Sequence, residues 1–386
     1  MQFAAVTDSI VDASRVASAF ARAGHDTTVL LHEHSQKTVG SNALVLDADL
    51  RGLSKLDSRT RLQRLGRNLR HSQIAFFRFD SSLRRPWDDL FATLEASGRN
   101  KVILAAYSPS EGFEVRHGTV FWHGSPLHRS SLARDRLNPV YDANIPELLE
   151  REGLGTVALV RDITPQSIQA ALEKARFVIV DGGNRGDAEN LVASVPEPEA
   201  VLWAGSANLA RAIGGAFAVH EPLDFAATDL AAPTLLALGS NTQTLEQLKV
   251  LRAAGLITVS LEPNEQGVVR AVSQARLALQ KTGCALYLEL PAGAFGIPAA
   301  LVKHTSLEAL SEVIAQLSQN KCFENLLLCG TPLATSSLRR LNAQGIHIDP
   351  FTDSTHLIAP NPHRIQVRAS SDAPQTLLGA YQCLAG

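Results

Sequence analysis

The chain has 386 residues, 45% hydrophobic and 19% charged, an ordinary globular composition long enough for two domains with sizeable cores. A net charge of -2 and a pI near 6.6 give no basic field, which sets aside nucleic acid and anionic membranes and favours a small molecule as partner. The four cysteines, Cys284, Cys322, Cys329 and Cys383, lie in the last third without CxxC spacing and read as buried thiols in a reducing cytoplasm.

Met1 leads straight into a strand, without the basic segment and apolar run of a signal peptide, which predicts a cytoplasmic protein. The most apolar stretch, 284–302, carries Glu289, Pro291 and Pro298 and reads as a strand and loop rather than a membrane span. Apolar runs predict strands at Phe3–Val6, Thr27–Leu31, Ala43–Leu46, Ile74–Phe79 and Val102–Ala105. Helices are predicted at Asp12–Ala23, closed by Gly24, then near Ser58–His71 and Arg85–Ser97. This is a parallel βαβ start. The segment Glu114–Leu127 interrupts it with two short β-type runs about Gly118 and Gly124, a hairpin that can cover a pocket. Strands recur at Thr156–Val160, Phe177–Asp181 and Val201–Ala204, and again at Leu235–Leu238, Ile257–Leu261, Ala285–Leu288 and Leu326–Cys329. The predicted fold class is α/β, with two lobes, each a mostly parallel sheet flanked by helices, and an active-site cleft between them. The expected division is 1–215, a linker 216–234, and 235–386.

Two stretches share one construction. In 235–251, LLALGSNTQTLEQLKVL, an apolar strand meets Gly239 and Ser240 and then an amphipathic helix. In 201–213, VLWAGSANLARAI, a strand meets Gly205 and Ser206 and then a helix. A glycine allows a sharp turn, and the N–H groups and positive dipole end of the next helix can face an anion such as phosphate. A strand, Gly-Ser and helix is also a common tight connection. At the strand ends of the first lobe stand Asp8, Asp49, Arg51, Asp80, Ser81 and Arg84. Guanidinium groups bind a carboxylate with two parallel bonds, while an aspartate accepts from sugar hydroxyls or removes a hydroxyl proton, so the set suits a hydroxylated acid. Any one of these aspartates can equally cap the next helix. The arginines of 59–70 read as the solvated face of a helix whose apolar stripe is Leu62, Leu65 and Leu69. His123 and His128 make no metal-ligand grouping, and no structural zinc is expected. There is no GxGxxG, GxxxxGK[ST] or GxSxG.

The order of these motifs resembles the four-carbon acid sugar kinase family, nearly end to end. TDSIVDASRVASAFARAG, Thr7–Gly24, lies where that family has a DDLTGA-type opening. LDADLRGL, Leu46–Leu53, resembles its DT-x-SR segment, and RFDSSLRRP, Arg78–Pro86, its K-x-DSTLRGN segment. Gly118, Gly124 and Pro126, then Asp135 and Pro139, then AGSANLA follow in family order. GSNTQTLEQ, Gly239–Gln247, is one residue shorter than GS-x-S-x-x-T-x-x-Q, with Thr244 and Gln247 in matching places.

The resemblance implies an ATP-dependent kinase, a phosphotransferase with an alcohol acceptor, acting on an acid such as threonate, erythronate or 3-oxo-tetronate. It implies ATP and Mg2+ as cofactors and leaves a homodimer open. Asp8 would be the catalytic base, with Arg51, Asp80, Ser81 and Arg84 binding the substrate. Gly205, Ser206, Gly239, Ser240, Thr244 and Gly330 would face the nucleotide. The chain also departs from the family pattern: Ser9, Asp12 and Arg15 stand where the opening has Asp, Gly and a later Asp. Arg85 and Pro86 replace Gly-Asn, and Phe113 replaces an Arg. CGTPLAT, Cys329–Thr335, replaces GG-[DE]-T and keeps Gly330, and the Gly-rich KxGGFG-like close is missing. The alternative reading is a catalytically silent relative that binds a ligand or partner through the same cleft.

Overall fold

The computed structural model describes residues 1–34, 40–50, 52–84, 87–134, 139–218, 232–239, 244–281, 283–288, 299–349, 354–368 and 374–385. Arg51, Arg85, Pro86, Asp135, Ser240 and most of the predicted linker, 219–231, lie outside the described residues. The chain divides into two compact units, Met1–Leu223 with Asp349–Phe351, and Asp224–Ile348 with Thr352–Gly386.

In the first unit β1 (Phe3–Thr7), β2 (Thr27–Leu31), β3 (Ala43–Asp47), β4 (Ile74–Arg78) and β5 (Lys101–Ala105) alternate with α1 (Ile10–Arg22), α2 (Lys55–Arg70) and α3 (Trp87–Ser97). Then come β6 (Phe113–Arg116), β7 (Thr119–Trp122), β8 (Ser125–Pro126), α4 (Ile145–Glu152), β9 (Val157–Val160), α5 (Pro165–Lys174), β10 (Phe177–Val180), α6 (Asp187–Ser194), β11 (Val201–Gly205) and α7 (Ala207–Ala216). The main strands lie in the order β2-β3-β1-β4-β11-β5-β10-β9, and every pairing among them is parallel. Apart from the half-buried edge strand β9, they are buried on both faces, as the unbroken apolar runs of a helix-covered parallel sheet require. Helix α1 begins two residues before the predicted Asp12, because Ser9 caps it and accepts from the Asp12 N–H. Gly24, at φ +85, follows its end.

The predicted hairpin is a three-stranded antiparallel sheet, β6-β7-β8. Both of its turns are His-Gly pairs, His117-Gly118 and His123-Gly124, and all four residues have positive φ. Two left-handed residues between Arg116 and Thr119, and again between Trp122 and Ser125, match the twist of the flanking strands. Val115 and Gly182 exchange backbone hydrogen bonds at 2.7 and 3.0 Å, which ties the hairpin to the residues after β10.

The second unit contains β12 (Thr234–Leu238), α8 (Thr244–Ala253), β13 (Ile257–Leu261), α9 (Glu265–Leu279), β14 (Gly283–Leu288), α10 (Ala299–Gln319), β15 (Asn325–Cys329) and α11 (Thr331–Arg340). The chain continues with β16 (Gly345–Asp349), β17 (Ser354–Ile358), β18 (Arg364–Arg368) and α12 (Pro374–Ala385). Its strand order is β13-β14-β12-β15-β18-β17-β16, parallel from β13 to β18 and antiparallel between β18 and β17. The fold is therefore α/β, with a mostly parallel sheet flanked by helices in each unit. The sequence reading contained no strand after Cys329, so β16, β17 and β18 are additions to it. No helix among the described residues is long and apolar enough to cross a membrane. Of the cysteines, Cys284 and Cys329 are buried and Cys322 is partly exposed, and burial pushes the Cys284 thiol up to about 12. The side chain of Cys383 lies outside the description.

Helices α2 and α3 approach closely at Gly66, where a Cβ would stand 2.6 Å from both the Cβ and the carbonyl oxygen of Ala96. In Gly66→Ala, helix propensity would gain about 0.8 to 1.0 kcal/mol, but overpacking against a fixed backbone costs about 1 to 3 kcal/mol. We expect a net loss of roughly 1 to 2 kcal/mol in urea unfolding; a variant as stable as the parent would show that this contact is slack.

Candidate functional site

The carboxyl ends of β3, β1, β4, β11 and β5 lie side by side, and the polar residues of the first unit gather there. Asp47 closes β3, Asp8 follows β1, and Arg78 closes β4. Arg78 is the centre of the group. Its side chain is only 11% exposed; Nη2 lies 3.0 Å from Asp12 Oδ1, and Nη1 lies 3.9 Å from Asp80 Oδ1. Burial works against its charge, but the carboxylates of Asp12, Asp80, Asp8 and Glu111 outweigh it and hold its pKa above the ordinary value. The Ser9 hydroxyl donates to Asp12 Oδ2 at 2.8 Å, and Arg15 pairs with Glu111 at 3.0 Å. Two residues that depart from the family opening, Asp12 and Arg15, thus form ion pairs within the unit, and the third, Ser9, holds Asp12.

The segment after β4 folds into a tight frame. Leu83 N–H closes a turn on the Asp80 carbonyl at 2.8 Å, and Asp80 Oδ1 accepts from Ser82 N and Ser82 Oγ at 3.0 and 2.7 Å. Arg84 Nε then turns back on Asp80 Oδ2 at 3.2 Å and on Ser82 Oγ at 2.6 Å. Ser81 is buried, and its hydroxyl has no hydrogen-bond partner among the described residues. Asp49, on the loop after β3, and Leu83, on the loop after β4, both take positive φ, at 43° and 56°. Non-glycine residues held there store strain of the kind that gathers at functional sites.

Asp47 is 1% exposed. Burial, then the charges of Asp49, Asp8 and Asp12, push its carboxyl up to about 8, although it accepts the Asp49 N–H at 3.1 Å. The expected solvated arginine face of α2 needs one correction. Arg61 is not solvated: Nη1 donates to the carbonyls of Ala48 and Asp49 at 2.8 and 2.6 Å and so clasps the loop after β3.

The two Gly-Ser turns differ. A Cβ on Gly205 would lie 2.7 Å from Leu209 Cδ2 and 2.8 Å from the Ala105 carbonyl, so that glycine serves close packing. Ser206 is 1% exposed, and its hydroxyl donates to the Tyr107 carbonyl at 3.1 Å instead of capping α7. These two residues belong to the first unit, next to β4, where Phe79 N–H meets the Gly205 carbonyl at 2.9 Å. In the second unit Gly239 and Gly330 follow the neighbouring strands β12 and β15. Gly239 N–H donates to the Cys329 carbonyl at 3.1 Å, and the Thr244 hydroxyl donates to the Gly239 carbonyl at 2.8 Å. Gly330, at φ +109, opens α11 with no side-chain cap. Its own N–H donates to the Arg368 carbonyl at 2.9 Å, and Pro332 brings no N–H to the first turn, so fewer backbone donors remain there for an anion.

Sequence reasoning missed Arg78, Asp47 and Glu111. A signal for the first two existed, since each is an ionisable residue ending an apolar run and must find partners when buried. Glu111 had no local signal; it joins through the fold. The hairpin forms one wall of a cavity of about 730 Å³, with Arg161 and Asp181 among its lining. Asp181 accepts the N–H groups of His117 and Gly118 at 2.6 and 2.8 Å. A second cavity, of about 680 Å³, lies by Tyr107, Asn208 and Arg211.

Residues 8–213, more than half of the chain, match the family model described as a sugar-binding N-terminal domain. The chain belongs to that family. No curated protein matches it. Among solved structures, a Haemophilus influenzae protein of the DUF1537 family is similar over 99% of this chain and 100% of its own, with a TM-score of 0.79 at 16% identity. A Salmonella typhimurium LT2 protein that carries a tRNA synthase name is similar over 98% of each chain, with a TM-score of 0.81 at 17% identity. A Bordetella bronchiseptica protein of the DUF1537 family, described with bound citrate as a domain-swapped dimer, has a TM-score of 0.49 at 19% identity over 100% of this chain and 99% of its own. At these identities the first two show a shared fold. The clustered carboxylates lie within the matched sugar-binding domain.

Asp47 yields a pH test. An unfolded aspartate titrates near 3.9, so between about pH 4 and 8 the folded protein holds the extra proton and stability falls as pH rises. The slope is at most about 1.4 kcal/mol per pH unit. Asp47→Asn should flatten that fall and leave the variant more stable than the parent at the alkaline end, read as urea midpoints across the window. Parallel profiles would mean that Asp47 is ionised throughout.

Proposed function

We propose that this chain is an ATP-dependent phosphotransferase whose first unit binds a small, hydroxyl-rich sugar or sugar acid, a four-carbon sugar acid kinase in the reading its sequence resemblance gives. One observation carries the proposal: Asp8, Arg78, Asp80 and Arg84 stand on neighbouring strand ends inside the matched sugar-binding domain. Asp80 and Arg84, locked in one turn, would hold the substrate's polar groups, with Ser81 beside them. Asp8 would take the proton of the reacting hydroxyl.

ATP would meet the second unit where Gly239 and Gly330 end adjacent strands, with its phosphates at the uncapped start of α11. Bound there, ATP supplies the phosphoryl group. Mg2+ would enter with the nucleotide, held chiefly by its phosphates. A second reading, the silent ligand-binding relative, draws support from the internal Ser9, Asp12 and Arg78 contacts in place of the family opening.

Calorimetry with ATP and magnesium separates the two. With the nucleotide-side motifs eroded we expect a dissociation constant of roughly 200 µM or weaker, about -5 kcal/mol, and slow turnover; micromolar or tighter binding followed by ADP release on adding a four-carbon sugar acid would support the kinase with the erosion harmless. No heat with any nucleotide, in a folded sample, would favour the silent relative. Asp80→Ala or Arg84→Ala should cost on the order of 2 to 5 kcal/mol of substrate binding by removing one side of a charge-assisted pair. Unchanged affinity in both would reject the assignment.

A further inference from the structure

The cavity of about 680 Å³ in the first unit lies at the carboxyl ends of three adjacent strands, β11, β5 and β10, where Asn208, Tyr107 and Arg185 follow them. Open parallel sheets take their ligands at such ends. Tyr107, which lines the cavity, is 2% exposed, and its hydroxyl has no hydrogen-bond partner among the described residues. A buried hydroxyl left without a partner is costly, yet this residue is fixed in place from two sides. Its ring fills the space beside Gly182, where a Cβ would stand 2.6 Å from Tyr107 Cε1, and its carbonyl accepts the Ser206 hydroxyl at 3.1 Å. That bond also leaves the first turn of α7 without a side-chain cap.

The charges around the cavity favour a ligand that accepts hydrogen bonds. Burial and the carboxylates of Asp187 and Glu189 hold the Tyr107 hydroxyl in its protonated form, so it donates. Both carboxylates are themselves met: Asp187 Oδ2 accepts the N–H groups of Gly183 and Asn184 at 2.8 Å, and Glu189 pairs with Arg211. Arg185, also on the lining, is exposed and makes no ion pair or hydrogen bond among the described residues. A protonated tyrosine, an unpaired guanidinium and an open helix start all complement a group that only accepts and carries negative charge.

We propose that this cavity is a second ligand site, which takes a small organic oxyanion, a carboxylate or a phosphate ester, with the Tyr107 hydroxyl and the Arg185 guanidinium as its donors. Its lining includes none of Asp8, Asp80, Ser81 and Arg84, so it goes beyond the sugar site and does not rest on it.

The test is calorimetry of the full chain without nucleotide, with inorganic phosphate, glycerol 3-phosphate and succinate. The parent should bind at least one of the three, and the tighter of the last two names the source of the oxyanion. Tyr107→Phe and Arg185→Gln should each weaken that ligand about tenfold by removing one hydrogen bond to a charged group, whereas Arg84→Ala should leave it unchanged. Because the hydroxyl has no partner in the free protein, Tyr107→Phe should unfold in urea at the parent's midpoint or above it. A lower midpoint would mean that the hydroxyl serves the fold, and would overturn the proposal. So would the absence of heat with all three compounds in a folded parent, or affinities unmoved by both substitutions. Loss of binding in Arg84→Ala alone would move the oxyanion to the turn after β4, overturning this site while leaving the sugar-site reading in place.

Discussion

A guanidinium buried at the end of β4 constrains everything around it. Arg78 cannot be neutral, and at 11% exposure it must be surrounded by carboxylates. Asp12 can supply one because α1 starts early, at Ile10, with Ser9 as its cap. Asp80 can supply another because the chain turns sharply after β4. The apolar side of α1, with Ile10, Val16, Ala17 and Phe20 fully buried, sets the helix down on the sheet. The ion pairs then fix which carboxylate faces which nitrogen. A buried ion pair of this kind adds little net stability over an apolar substitute, yet breaking one side costs about 3 to 5 kcal/mol. Its value lies in holding a specified charge pattern.

That pattern contains more acids than Arg78 can neutralise alone. The protein resolves the excess in three ways visible at the same edge. Asp80 is bound by Ser82 and Arg84, Glu111 by Arg15, and Asp47 is pushed towards its protonated form. Each device suits its depth. The ion pairs are partly exposed, where water shares the cost of charge, whereas the burial of Asp47 disfavours its charged form.

Much of the first unit was legible because a parallel sheet covered on both faces needs strands that are apolar throughout, and such runs stand out between polar helices. Thr27–Leu31, buried at every position, has the bounds that its side chains predict. The end of the chain was not legible for the converse reason. Ser354–Ile358 and Arg364–Arg368 mix polar and apolar residues, STHLI and RIQVR, and pair antiparallel with each other, so no unbroken apolar run marks them. At the candidate site, Asp8, Asp80 and Arg84 could be picked out as polar residues just past strands. Arg61 could not, since its sequence neighbours are those of a solvated helix face, and only the fold brings it to the carbonyls of Ala48 and Asp49.

Two glycines at strand-to-helix junctions, Gly205 and Gly330, carry different physical meanings. At Gly205 the missing Cβ makes room for Leu209 and the Ala105 carbonyl, and the following hydroxyl is spent on Tyr107. Substitution there would fail by collision, whatever the ligand. At Gly330, which has no serine after it, the backbone itself is left-handed and the helix that follows starts without a side-chain cap. Substitution there would fail by strain. A glycine required by packing says nothing about a ligand. A glycine required by conformation at a helix start leaves that question to the backbone N–H groups around it.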